Sequence, residues 1–173
     1  MHALQTERGA TLIRPHTRLR TIFFIALAVF LLDLSTKMWA VASLEGKEPR
    51  YIIGKILRWE FARNPGAAFS SFTGATPILT FVSIAVLLFL IFRAPQVTEL
   101  SWCYPWGGLV GGIIGNLTDR VLRDPGLFRG HVVDWIGLPH WALFNIADSA
   151  IVLSVLTMAI LSWRGSSFRG GSE

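Results

Sequence analysis

Two aspartates, Asp134 and Asp148, stand in otherwise apolar runs, His131-Val132-Val133-Asp134-Trp135-Ile136 and Phe144-Asn145-Ile146-Ala147-Asp148-Ser149-Ala150. An ionisable group at membrane depth costs roughly 2.5–3.5 kcal/mol on insertion scales, so two of them in such runs mark a functional site. Carboxyls within a few ångströms of each other cannot both ionise easily, and one keeps its proton near neutral pH. The ionised member can take a proton from water while the protonated one polarises a carbonyl. That is the minimum equipment for hydrolysing a peptide bond.

Other polar residues sit at spacings that could support this pair. Asn145 precedes Asp148 by three residues, and Asn116 precedes Asp119 by three, so each pair stacks on one helix face. An amide beside a carboxylate can hold its orientation and favour one protonation state. The adjacent Asp119 and Arg120 suggest a salt bridge that braces the site. Asp33 and Lys37, four apart, share a face as well. They read either as an ion pair that lowers the insertion cost of both or as groups holding the site or substrate from the bundle interior.

Competing chemistries are poorly served. Ser70, Ser71 and Ser149 lack a Ser-His or Ser-Lys context. His131 and His140 flank Asp134 without the i, i+4 histidine spacing of a zinc helix. No metal or other cofactor is expected. Cys103 is the only cysteine, which excludes a disulfide framework and an intramolecular redox pair.

The elements that must carry these residues are membrane helices. Of 173 residues 52% are hydrophobic and 16% charged, against a usual ~25% charged. The mean hydropathy is +0.50. Spans are expected at about 21–44, 76–92, 102–122 and 141–163, with Pro77 suited to a first helical turn and Trp141 and Trp163 to interfacial belts. Arg14, Arg18 and Arg20 before the first apolar run, with Ala40-Val41-Ala42 after it, outline a cleavable leader. Asp33 and Lys37 interrupt that run, and an uncleaved first span is the better reading. The net charge of +5 comes from basic residues flanking apolar segments rather than from a stripe that binds nucleic acid.

Residues 57–61 alternate apolar and charged, the period of a half-buried strand, and Asn64-Pro65-Gly66 signals a turn. A small sheet over about 50–72 is therefore expected on the bundle mouth, with Leu57, Trp59 and Phe61 facing the bundle or the membrane. The fold class is an all-α membrane protein, a four-helix transmembrane bundle with a small extracytoplasmic sheet and an interfacial loop or helix. It forms one catalytic membrane domain at 21–163, between tails at 1–20 and 164–173. The even span count puts both tails on one side. Lys and Arg are nearly balanced between the two sides, and only the basic flank of the first helix favours the cytoplasm for the tails. A transporter or proton relay would instead need carboxylates at mid-helix and an aqueous path through the bundle. A scaffold would not need Asn and Asp gathered at one end.

With these residues assembled, the chain resembles the lipoprotein signal peptidases of bacteria, signal peptidase II. The matching runs are Asp33-Leu34-Ser35-Thr36-Lys37, Asn64-Pro65-Gly66-Ala67-Ala68-Phe69-Ser70, Gly115-Asn116-Leu117-Thr118-Asp119-Arg120, Val132-Val133-Asp134-Trp135 and Phe144-Asn145-Ile146-Ala147-Asp148-Ser149-Ala150. The resemblance implies an aspartyl endopeptidase of the inner membrane, acting on prolipoproteins whose lipobox cysteine carries diacylglycerol and cutting on its N-terminal side. It implies Asp134 and Asp148 as the catalytic pair, with Asn64, Gly66, Asn116, Asp119, Arg120 and Asn145 shaping the site. It also implies inhibition by the cyclic peptide globomycin. Residues 121–130 are longer than usual between the matching blocks, and Trp135 stands where phenylalanine is commoner.

Overall fold

The computed structural model describes residues 15–66 and 76–169. Residues 67–75 lie outside it, and with them the rest of the Asn64-Pro65-Gly66 run, Ser70, Ser71 and the end of the expected sheet, as do residues 1–14 and 170–173 of the tails. The described chain runs α1 (Pro15–Leu44), β1 (Arg50–Ile53), β2 (Leu57–Asn64), α2 (Thr76–Arg93), a 3-10 turn (Ala94–Gln96), α3 (Leu100–Leu122), β3 (Val132–Gly137) and α4 (Ile146–Trp163).

Local sequence explains the boundaries. Pro15 and Pro77 fall in first turns, where a missing N–H costs nothing. Just beyond α1, Gly46 takes a φ of +74°, the left-handed conformation suited to a helix end. The fourth helix begins at Ile146 rather than at Trp141 as expected. Phe144 pairs with Ile136 of β3 instead of continuing the helix, and Asn145 then caps α4. Trp141 is left on an exposed loop.

Three helical stretches, Arg18–Leu44, Thr76–Gln96 and Ile146–Trp163, are long and apolar enough to cross a membrane. The remaining long helix, α3, is the most buried of the four described. Its glycines let α1 and α4 close on it from two sides. At Gly115, a Cβ would sit 2.5 Å from Asp33 Oδ2 and 3.3 Å from the Ala147 side chain, so only glycine leaves room where α1, α3 and α4 meet. In contrast, α2 touches the bundle mainly through α3, and its apolar side chains are largely exposed.

The sheet is antiparallel in the order β1-β2-β3. Sequence alternation finds β2 but misses β3, whose first four residues are all buried. Trp59 of β2 and Trp135 of β3 meet Trp39 of α1 edge to face, with centroids 4.9 and 5.3 Å from Trp39. Together with Ala40, Leu44, Val133 and Phe61 they seat the sheet on one end of α1. This places Trp59 and Phe61 toward the bundle. Since side chains alternate along a strand, Asp134 faces away from its neighbour Trp135.

Candidate active site

Asn145 is the hinge of the site. As the cap of α4 it accepts the Asp148 backbone N–H at Oδ1 (2.9 Å), and its own N–H donates to Asp148 Oδ2 (3.2 Å). This reciprocal pair satisfies two donors that a helix start would otherwise leave unpaired. Its side-chain amide also donates to Asp134 Oδ1 at 2.7 Å. One residue therefore holds both carboxylates. Asn64, at the end of β2, donates to Asp134 Oδ2 (2.9 Å), and Asn116 of α3 donates to Asp148 Oδ1 (2.7 Å).

Beneath this layer lies a buried ionic hub. Lys37 Nζ is 2.7 Å from Asp33, 3.0 Å from Asp119 and 2.9 Å from Asn116 Oδ1. Asp33 accepts the Ala147 N–H (2.9 Å), and Asp119 accepts the Val133 N–H (3.1 Å). The hub thus fixes the residue before Asp134 and the residue before Asp148. Asp119 also pairs with Arg123.

The expected Asp119–Arg120 salt bridge does not form. Neighbouring helix residues point about 100° apart, whereas residues four apart stack, and Asp119 accordingly takes Arg123 and the distant Lys37. The i, i+4 spacing of Asp119 and Arg123 was a signal that would have found this partner. Arg120 turns toward the two aspartates and acts on both electrostatically. Its Nε and Nη1 are buried without a hydrogen-bond partner among the described residues. Gly66, with φ +112°, lets the chain pass that guanidinium: a Cβ there would lie 3.1 Å from Nη1 and 2.6 Å from Leu79 Cδ1. The Asn64 side chain accepts the Gly66 N–H (2.8 Å), which forms the turn.

All ten residues singled out in the sequence thus converge on one end of the bundle. Asp134 is 1% exposed. Burial pushes its carboxyl up from 3.8 to about 7, helped by the Asp148 charge and opposed by the Asn64 and Asn145 amides and by Lys37. Asp148 is only half buried and lines an apolar cavity of about 360 Å³ with Leu138, Trp141, Phe144, Ser149, Val152 and Leu153. One carboxyl is sealed and inclined to hold a proton, while the other opens on an apolar slot.

Because Asp119 holds Lys37, Arg123 and the β3 backbone together, Asp119→Asn should lower the thermal midpoint of the detergent-solubilised protein and reduce turnover only in part. Abolished turnover at an unchanged midpoint would assign Asp119 a direct chemical part.

A pair of carboxyls held by one asparagine, through its side chain and its backbone N–H, at the end of an apolar helix bundle, defines a membrane hydrolase of the two-aspartate kind. Residues 25–164 match the family described as Signal peptidase (SPase) II. A lipoprotein signal peptidase of Streptomyces coelicolor is 46% identical over 88% of this chain and 74% of its own, and one of Mycobacterium avium is 39% identical over 90% and 85%. A bacterial membrane enzyme solved by the in meso method at 2.3 Å superimposes with a TM-score of 0.74 at 26% identity, covering 90% of this chain and 94% of the other. The chain belongs to the signal peptidase II family and is an aspartic endopeptidase.

Proposed function

We propose that the chain removes signal peptides from diacylglyceryl-modified prolipoproteins, cutting N-terminal to the lipidated cysteine, with Asp134 and Asp148 as its catalytic pair. The observation that carries this is the sharing of Asn145 by both carboxylates, through bonds of 2.7 and 3.2 Å. Asp148, the more open member, takes the proton from the attacking water. Asp134, buried and proton-bearing, donates to the scissile carbonyl as the tetrahedral centre forms. Arg120 has unused donors beside the pair, suited to a substrate carbonyl. The apolar slot next to Asp148 fits an acyl chain or the apolar end of the signal peptide.

In this reading α3 crosses the membrane too, as the third of four spans, and both termini are cytoplasmic. The three-stranded sheet and the site lie at the outer face of the inner membrane, where globomycin would compete with substrate. The test is cleavage of a diacylglyceryl-modified prolipoprotein by the purified chain. Release of the signal peptide from the lipidated substrate only is expected; equal cleavage of the unmodified precursor would refute the substrate assignment. Chelators should leave the rate unchanged.

The protonation roles make a signed prediction. Asn64→Ala deletes an amide bond that favours ionised Asp134, so its pKa rises. The alkaline limb of kcat/KM, which reports the free enzyme, should move up by about one pH unit, the worth of one charge-assisted hydrogen bond. A limb that stays put or moves down would take the acid role from Asp134.

A further inference from the structure

At the opposite end of the bundle from the aspartates, a second cavity of about 500 Å³ opens between α1, α2 and α3. Leu19, Ile22, Phe23 and Phe30 of α1 face Ile91 and Pro95 across it, and the lining is almost wholly apolar. The volume lies within the ~300–1,000 Å³ of ligand pockets. It exists because α2 stands away from α1 and is fastened at this end by other contacts. Trp106 Nε1 donates to the Leu90 carbonyl at 3.2 Å, and Arg93 lies over the Phe168 ring, whose residue accepts the Thr98 N–H at 2.8 Å.

One turn beyond Ile22, on the same face of α1, stands Arg18. Its Nε is buried and has no hydrogen-bond partner among the described residues. It is close enough to Cys103, near the start of α3, to act on it electrostatically. Glu99 acts on Cys103 too, yet it makes no ion pair with Arg18. Arg18 thus stands next to Leu19 of the cavity wall, half-buried, with a buried guanidinium nitrogen that costs free energy unless an anion completes it. Basic pockets between helices on the cytoplasmic side suit anionic lipid headgroups.

We propose that this cavity is a binding site for an anionic phospholipid, one acyl chain filling the slot and the phosphate meeting Arg18. The assignment of the cytoplasmic leaflet rests on the topology given above; the site itself does not. The lipid would fill the gap between α1 and α2 and stiffen the loosest helix of the bundle from the face opposite the reaction.

The experiment is thermal unfolding of the full chain in neutral detergent, titrated with phosphatidylglycerol or with phosphatidylcholine of the same acyl chains. Phosphatidylglycerol should raise the midpoint by about 5–10 °C near saturation, and phosphatidylcholine much less. Arg18→Gln should abolish the difference between the lipids, while Lys47→Gln, at the other end of α1, should keep it. Leu27→Trp, which adds bulk to an exposed residue of the cavity lining, should weaken the response to phosphatidylglycerol. Equal rises with both lipids, a difference that survives Arg18→Gln, or the same rise with inorganic phosphate alone would each overturn the site. None of these outcomes depends on peptidase activity.

Discussion

Asp134→Asn and Asp148→Asn should each cut turnover by at least about 10²–10⁴-fold, the contribution of a positioned acid or base, while both proteins still fold. Neither amide can carry the shared proton or take one from water. The two variants should differ in stability. Asp148 spends both carboxylate oxygens, one on Asn116 and one on the Asn145 N–H. An asparagine there has one acceptor for two donors and weakens the cap of α4, at a cost of about 1 kcal/mol.

Asp134 behaves differently because its folded pKa is raised. Between 3.8 and about 7 the native state keeps a proton that the unfolded chain has lost. The contribution of Asp134 to stability is therefore greatest at or below the lower value and is lost as pH rises through this window. The Asp134→Asn protein should lack that decline when thermal midpoints are followed across the window. A variant with near-parental turnover would remove its residue from the catalytic pair, and an unaltered slope would mean that Asp134 is not the proton holder.

Lys37→Met should produce the largest loss of stability of any single change considered. Lys37 is 1% exposed and, among the described residues, is the one cation paired with Asp33, while it shares Asp119 with Arg123. Methionine fills similar space, so packing is largely kept. What remains is a buried Asp33 carboxylate without a counter-charge, held among the described residues only by the Ala147 N–H, and an Asn116 oxygen that has lost its charged donor. Removing one member of a buried pair costs about 3–5 kcal/mol. The thermal midpoint in detergent should fall sharply, and activity with it, because Asp33 and Asp119 hold the backbone beside both reactive aspartates. An unchanged midpoint would show that the hub contributes nothing to the fold.

Much of this was legible in the sequence, for identifiable reasons. Chemistry written into short spacings was the most legible: Asp33 and Lys37 four apart form an ion pair, and Asn145 does orient Asp148, though as the cap before α4 rather than from the same helix face. What failed was information carried by distant partners. Nothing near Asp119 announces Lys37, and nothing around Val132 announces a strand, because a strand buried on both faces has no alternation to read. Likewise Trp141 and Phe144 extend the apolar pattern of α4, and only the pairing of Phe144 with Ile136 keeps them out of the helix. The pair itself was visible as two aspartates in apolar runs, but not that one asparagine would hold both, by its side chain and by its backbone N–H.

The ionic hub carries a consequence for the membrane. Four acidic side chains, Asp33, Asp119, Asp134 and Asp148, gather with three basic ones, Lys37, Arg120 and Arg123. With every acid ionised, this cluster would carry one uncompensated negative charge in a largely buried setting, where a net charge is expensive. A single proton makes the assembly electrically neutral. The state that the surroundings favour and the state that can both accept and donate a proton are then the same one, so readiness for reaction requires no separate expenditure of substrate binding energy.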